Sequence, residues 1–478
     1  MRNANGSGHE QRRQTDGPGK DEVNRMNDFR KTAQEMLEFI RISPTCFHAV
    51  ANIGRMLEAA GFQQLQEKEE WKLEKGGRYY TERNDSSVIA FVIPEKEVGI
   101  RGFHMAAAHS DSPCFKIKEK PELTVEEHYL RLNTEKYGGM ILSTWLDRPL
   151  SIAGRLAVKN GNGIEGRLVN IDRDLCVIPN VAIHMNREMN KGVEYNPQVD
   201  LLPLLADVSF DEYDAHTTYD AQTASENAEE QPETVEKPTL AALAAEAAGV
   251  DAETILGEDL FLYTRQEGKM VGAKGEFVLS PRLDDLQSAF ALTKAFTEST
   301  PAEYINLCAV FDNEEVGSGT RQGADSTFLE DTLQRITEGL QEGHSTYLRW
   351  MADSFLISAD NAHAVHPNHP EKADPANRPY LNGGIVIKYH GSQKYTTDGI
   401  SAAKMKDYCE RAKVPYQTYA NRSDIAGGST LGNISTAHVS VSSVDIGLPQ
   451  LAMHSAVETA GMKDTEYAVR ALKEFWGE

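Results

Sequence analysis

The sequence predicts an α/β sandwich with a largely parallel central sheet. Three observations predict it. From Phe277 onward, apolar runs of strand length alternate with stretches at helical spacing. Ahead of them, Asp28 to Gly61 carries apolar residues at helical period. The strand-length runs also end repeatedly in His, Asp or Glu, where an α/β fold opens its ligand crevice.

Met36, Leu37, Phe39 and Ile40 mark a first helix, and Val50, Ile53, Met56 and Leu57 a second. Ser43-Pro44-Thr45 breaks the chain between them. Ser87–Ile93 and Gly99–Ala108 read as strands. A β-rich middle follows, with Ile164–Val169 and Leu175–Ile178 as short strands bounded by Gly, Asn and Asp. From about Ala206 to Pro238, Asp, Glu, Thr, Gln and Ala replace large apolar residues, the pattern of an acidic exposed or disordered insert. Thr239–Ala248 suits a short helix. Leu286–Phe296 has helical spacing, and Ile305–Phe311 and Ser354–Ser358 have strand length. Residues 1–23 are polar and read as a disordered tail.

The composition narrows the function. A chain of 478 residues with 40% hydrophobic and 25% charged residues can bury a sizeable core and suggests two domains. A net charge of -23 disfavours nucleic acid and anionic membrane as partners. No apolar run spans a bilayer, and no apolar stretch follows the N-terminal arginines as a secretory signal would require. The five cysteines, Cys46, Cys114, Cys176, Cys308 and Cys409, are scattered and form no CxxC pair. A disulfide framework and a thiolate zinc site are disfavoured, and a reducing cytoplasm is the expected location.

The chemistry lies just past the apolar runs. Gly102–Ala108 leads into His109-Ser110-Asp111, a metal ligand and a carboxylate able to orient it. Asp284 and Asp285 open the helical run at Leu286; taken alone they favour an N-cap over a carboxylate shared by two metals. Ile305–Phe311 leads into Asp312-Asn313-Glu314-Glu315, two adjacent glutamates able to serve a metal and a water, or to form a solvated acidic loop. Ser354–Ser358 leads into Asp360 and His363, and Val444–Pro449 into His454. Together they are a nitrogen and oxygen ligand set without thiolate. That set suits catalytic zinc, with cobalt or manganese as alternatives.

Five segments carry a resemblance. They are His109-Ser110-Asp111-Ser112-Pro113, Pro281-Arg282-Leu283-Asp284-Asp285, Asp312-Asn313-Glu314-Glu315-Val316-Gly317-Ser318, Ser358 to Pro367 (with Asp360-Asn361-Ala362-His363), and Pro449 to Ser455. In this order they resemble the M18 metallopeptidases, the aspartyl aminopeptidase family, from about Asn27 to the C-terminus. The resemblance implies a zinc-peptidase-like αβα sandwich, residues 24–114 and 277–478, with a β-rich dimerisation domain inserted at 115–276. It implies two divalent ions. His109, Asp284 and Asp360 would hold one and Asp284, Glu315 and His454 the other, with Glu314 as general base and Asp111 behind His109. His363 would help hold the developing oxyanion. The segments around Lys388 and His184 resemble family segments near the substrate's first side chain, His184 reaching in from a neighbouring subunit. They favour an N-terminal Asp or Glu; some relatives prefer neutral residues. Asp285 and Gly319 depart from residues common in the family, and neither is a proposed ligand. The implied activity is removal of the first residue from peptides with a free N-terminus, by a homo-oligomer of dimers forming a tetrahedral dodecamer. A di-metal deacylase or carboxypeptidase and a non-catalytic assembly protein are the other readings.

Overall fold

The computed structural model describes residues 20–95, 99–208, 239–425, 427–428 and 430–478. The first two apolar runs form the helices Lys20–Arg41 and Cys46–Ala59. Pro44 lacks an N–H and restricts Ser43, which stops the first helix. Asn52 caps the loose end, donating from Nδ2 to the Ile42 carbonyl at 2.9 Å and to Ser43 Oγ at 3.0 Å. The first helix begins at Lys20, inside the stretch expected to be a tail; residues 1–19 lie outside the described residues.

Nine strands form the central sheet. Their order is Gln63–Gln64, Arg78–Arg83, Ser87–Val92, Ile305–Phe311, Phe103–His109, Phe355–Ala359, Ser442–Gly447, Ile385–Tyr389 and Tyr416–Ala420. The four from Ile305–Phe311 to Ser442–Gly447 run parallel. Side chains alternate across the sheet. Phe103, Met105 and Ala107 face one core with Phe328, Leu333 and Trp350 from the helices Phe328–Gly339 and His344–Asp353. Ala106 and Ala108 face the other, with Leu286, Phe290 and Phe475 from the helices Leu283–Thr297 and Asp464–Trp476. The small alanines let the helix Leu283–Thr297 lie close to the sheet, which brings its first turn beside His109. The result is the αβα sandwich the sequence predicts.

A six-stranded antiparallel sheet is built wholly from residues 114–264, in the order Gly163–Asn170, Leu150–Asn160, Ile255–Thr264, Cys114–Val125, Tyr129–Tyr137 and Leu204–Asp207. Phe115, Leu132, Trp145, Leu156 and Leu260 form its own core. Leu175–Ile178, expected as a strand, makes only isolated bridges through Cys176 and Val177, because its two bridges go to different strands. The acidic stretch begins with Ala206 and Asp207 in a strand, and residues 209–238 lie outside the described residues. Thr239 caps the helix Leu240–Ala248. A five-stranded sheet of short strands, including Ala362–His363, Pro449–Leu451 and Glu458–Gly461, carries His363. The five cysteines are free. Among the described residues, no helix is long and apolar enough to cross a membrane.

Candidate metal centre

The parallel strands deliver the site. His109 is the last residue of Phe103–His109, Glu314 and Glu315 follow Ile305–Phe311, and Asp360 follows Phe355–Ala359. Asp284 and Asp285 have non-helical backbone at the start of Leu283–Thr297, and their shared peptide bond is cis. His454 sits in a turn where both Ala452 and His454 have positive φ, 57° and 64°.

These side chains converge. Ligand-type atoms of His109, Asp284 and Asp360 lie within 4.8 Å of one another, as do those of Asp284, Glu315 and His454 and those of His109, Glu314 and Glu315. His109 Nε2 lies 3.5 Å from Asp284 Oδ1 and 3.9 Å from Asp360 Oδ1. His454 Nε2 lies 3.4 Å from Asp284 Oδ2 and 3.4 Å from Glu315 Oε1. The two Asp284 oxygens therefore face two different imidazoles.

Neighbours fix the orientation of both rings. His109 Nδ1 lies 3.1 Å from the Asp111 carbonyl, and His454 Nδ1 2.7 Å from the Gly139 carbonyl. A carbonyl only accepts, so each Nδ1 carries a proton, and in the neutral ring each Nε2 would offer its lone pair to the cluster. Asp111 accepts from Glu314 N at 3.1 Å, Glu315 N at 3.2 Å and the Tyr137 hydroxyl at 2.8 Å. It thereby positions both glutamates as well as His109. Asp285 Oδ2 accepts from His109 N at 3.2 Å.

The electrostatics call for cations. Burial pushes Glu314 up to about 7, with His109 opposing and Asp360 adding to the rise. Burial also raises Asp285, Glu315 and Asp360. Asp284 is held low because His109 and His454 outweigh its burial. Burial opposes charge on His454, yet Asp284 and Glu315 push it up to about 10. Asp284 Oδ1 and Glu315 Oε1 are buried with no hydrogen-bond partner among the described residues. Buried anionic oxygens without donors are costly. The donor set and these bare oxygens fit divalent metal.

The cluster opens on a cleft of about 210 Å³ lined by Glu314, His363, Lys388, Tyr395, Tyr419, Thr430 and Met453, among others. Lys388 is buried, with Nζ 3.5 Å from Asp360 Oδ2. Burial works against its charge, but Asp360 with Tyr395 and Asp445 holds its pKa above the ordinary value. His363 packs edge-on against Tyr419 with centroids 6.1 Å apart. His184 is exposed on a turn of the β-rich segment and does not line this cleft. Sequence reasoning missed Glu458, whose carboxylate accepts from Asp284 N at 3.0 Å and His454 N at 2.7 Å. It also missed Tyr137 and Gly139. Glu458 bonds backbone N–H groups and Gly139 acts through its carbonyl, while Tyr137 bonds Asp111 and Asn313 through its hydroxyl from a strand distant in sequence, so none of the three leaves a spacing signal.

A parallel-sheet crevice lined by histidine and carboxylate side chains has the donor set of a metal-dependent enzyme. Comparison with known proteins makes this specific. The sequence model of the family described as aminopeptidase I zinc metalloprotease (M18) matches residues 39–476. A relative in Clostridium novyi, named as a probable M18 family aminopeptidase 2, is 46% identical over 93% of this chain and 98% of its own length. The cryo-EM structure of Ape4 with Nbr1 superposes with a TM-score of 0.86 at 36% identity, covering 94% of this chain and 86% of that one. The S. cerevisiae mApe1 dodecamer gives a TM-score of 0.77 at 26% identity, covering 94% and 97%. The chain belongs to the M18 family of zinc metalloproteases. It is an aminopeptidase, a hydrolase of the N-terminal peptide bond.

Proposed function

We propose that His109, Asp284 and Asp360 hold one divalent ion and that Asp284, Glu315 and His454 hold a second, with Asp284 bridging. The observation that carries this reading is the split of the Asp284 carboxylate, Oδ1 at 3.5 Å from His109 Nε2 and Oδ2 at 3.4 Å from His454 Nε2. Zinc suits the donors, and cobalt or manganese would take the same set. Bound ions supply Lewis-acid polarisation of the scissile carbonyl and acidify a water.

The remaining steps belong to the chain. Glu314, which lines the cleft, takes the proton of the attacking water and returns one to the leaving amine. Asp111 positions it through the Glu314 N–H. His363 stabilises the developing oxyanion. Lys388 pairs with the side-chain carboxylate of an N-terminal Asp or Glu, and His184 of a neighbouring subunit joins it. The exposure of His184 supports that second role. Residues 24–114 and 277–478 form the catalytic domain, and 115–276 the dimerisation domain. The dodecamer formed by the S. cerevisiae relative supports a homo-oligomer of dimers closing into a tetrahedral dodecamer.

The test is a peptide panel with N-terminal Asp, Glu, Leu and Lys, each free and N-acetylated. Free acidic peptides are expected to be cut fastest and acetylated ones not at all. A charge-assisted contact is worth about 1.5–3 kcal/mol. Lys388→Ala therefore lowers kcat/KM about tenfold to a hundredfold on acidic peptides, at tenfold per 1.36 kcal/mol, and less on neutral ones. A wild-type preference for Leu over Asp refutes the acidic specificity and leaves the aminopeptidase activity standing.

A further inference from the structure

The segment Tyr137–Ile141 leaves the six-stranded sheet at the end of the strand Tyr129–Tyr137 and crosses the metal centre before Leu142–Trp145 returns it to that sheet's core. It grips the His454 turn at several points. The Gly139 carbonyl accepts from His454 Nδ1 at 2.7 Å, and Ile141 N donates to the His454 carbonyl at 2.9 Å. Just beyond the segment, Thr144 Oγ1 accepts from Ala456 N at 2.9 Å. These bonds hold a histidine whose own φ is 64°, an uncommon conformation for a non-glycine residue.

The same segment touches the other ligand of that half. Gly138 has φ +77°, and a Cβ there would lie 3.1 Å from Glu315 Cβ and 3.5 Å from Glu315 Oε2. Among the described residues, the segment's bond toward the other half is indirect, the Tyr137 hydroxyl donating to Asp111 Oδ2 at 2.8 Å, and Gly138 takes no part in it.

We infer that Tyr137–Ile141 is a positioning strap for the Glu315–His454 half of the centre, so that this half is assembled only when the six-stranded sheet docks on the sandwich. The inference rests on the ligand assignment proposed above. Loss of ligand support of this kind weakens metal binding by about tenfold to a hundredfold.

The test measures the stoichiometry and affinity of zinc in competition with a chelator, on full-length protein whose fold is checked by circular dichroism and melting. Gly138→Ala supplies the intruding Cβ. Gly138→Asn supplies it with a residue that tolerates positive φ. Gly161→Ala is the control for backbone strain, since Gly161 has φ +58° and a Cβ there meets nothing within 4 Å. Both Gly138 variants are expected to keep one ion at wild-type affinity and to bind the other at least about tenfold more weakly. His454→Ala should give the same pattern and Gly161→Ala should not. Wild-type affinity for both ions in the Gly138 variants, with one ion lost in His454→Ala, overturns the strap. So does an equal loss in Gly161→Ala. Retention of both ions by His454→Ala overturns the ligand assignment itself.

Discussion

Glu314 and Glu315 are neighbours in the chain that meet different surroundings. Glu315 Oε1 faces His454 Nε2 at 3.4 Å, whereas Glu314 lines the open cleft. The Asp111 carboxylate, accepting both of their N–H groups, sets this divergence. Removing the proposed proton-transfer group without changing its shape should therefore spare metal binding. Glu314→Gln is expected to keep the fold and metal content and lose activity by roughly a hundredfold or more. Glu315→Ala is expected to lower metal occupancy instead. Elemental analysis beside the turnover assay separates the two, and near-normal turnover in Glu314→Gln would show that the base lies elsewhere. At this scale the sequence was informative where side chains act. The residue types at His109, Asp284, Glu315, Asp360 and His454 follow apolar runs or open a helical one, and the structure brings them together. It was silent on Gly139 and Glu458, because a carbonyl or a carboxylate bonded to backbone can be supplied by almost any local sequence.

The strand Phe103–His109 shows how an element carries its ligand. Near its start, His104 is buried between Tyr304, with centroids 3.7 Å apart, and Phe475, at 4.5 Å. Its Nδ1 lies 3.2 Å from the Phe475 carbonyl. Burial lowers its pKa to about 4, from an ordinary 6.5. The native state keeps this ring neutral, so the unfolded chain binds the proton first as pH falls. The contribution is fully present above about pH 6.5 and is lost progressively as pH falls toward 4, to the extent of roughly 3 kcal/mol at 1.36 kcal/mol per unit. Denaturant unfolding of wild type and His104→Phe between pH 4 and 7 checks this. The wild type should lose more stability across that window, and equal slopes would contradict the burial argument. Long elements were legible because their apolar period is long: Ile305–Phe311 matches its predicted bounds, and Leu286–Phe296 lies inside the helix Leu283–Thr297. Leu175–Ile178 was not, because four apolar residues do not say which neighbours they will pair with.

The molecule as a whole carries a net charge of -23, and several of its carboxylates converge at the cluster. Such a field attracts cations, both metal ions and the protonated α-amine of a peptide. Two independently cored sheets meet around this cluster, the nine-stranded sheet supplying most of the proposed ligands and the six-stranded sheet supplying Gly138 and Gly139 beside His454. The order of segments told of a sandwich; it could not tell that the six-stranded sheet touches the cluster, since the contact spans residues 139 and 454. The central claim is that two ions at this cluster enable removal of N-terminal residues. The most direct measurement is a stepwise zinc titration of chelator-stripped protein, with metal content determined at each point and hydrolysis of a free peptide followed against its N-acetylated form. The account predicts no turnover without metal, activity rising to its maximum as two ions per chain are bound, and no cleavage of the blocked peptide. Full turnover in protein shown to contain no metal would contradict it.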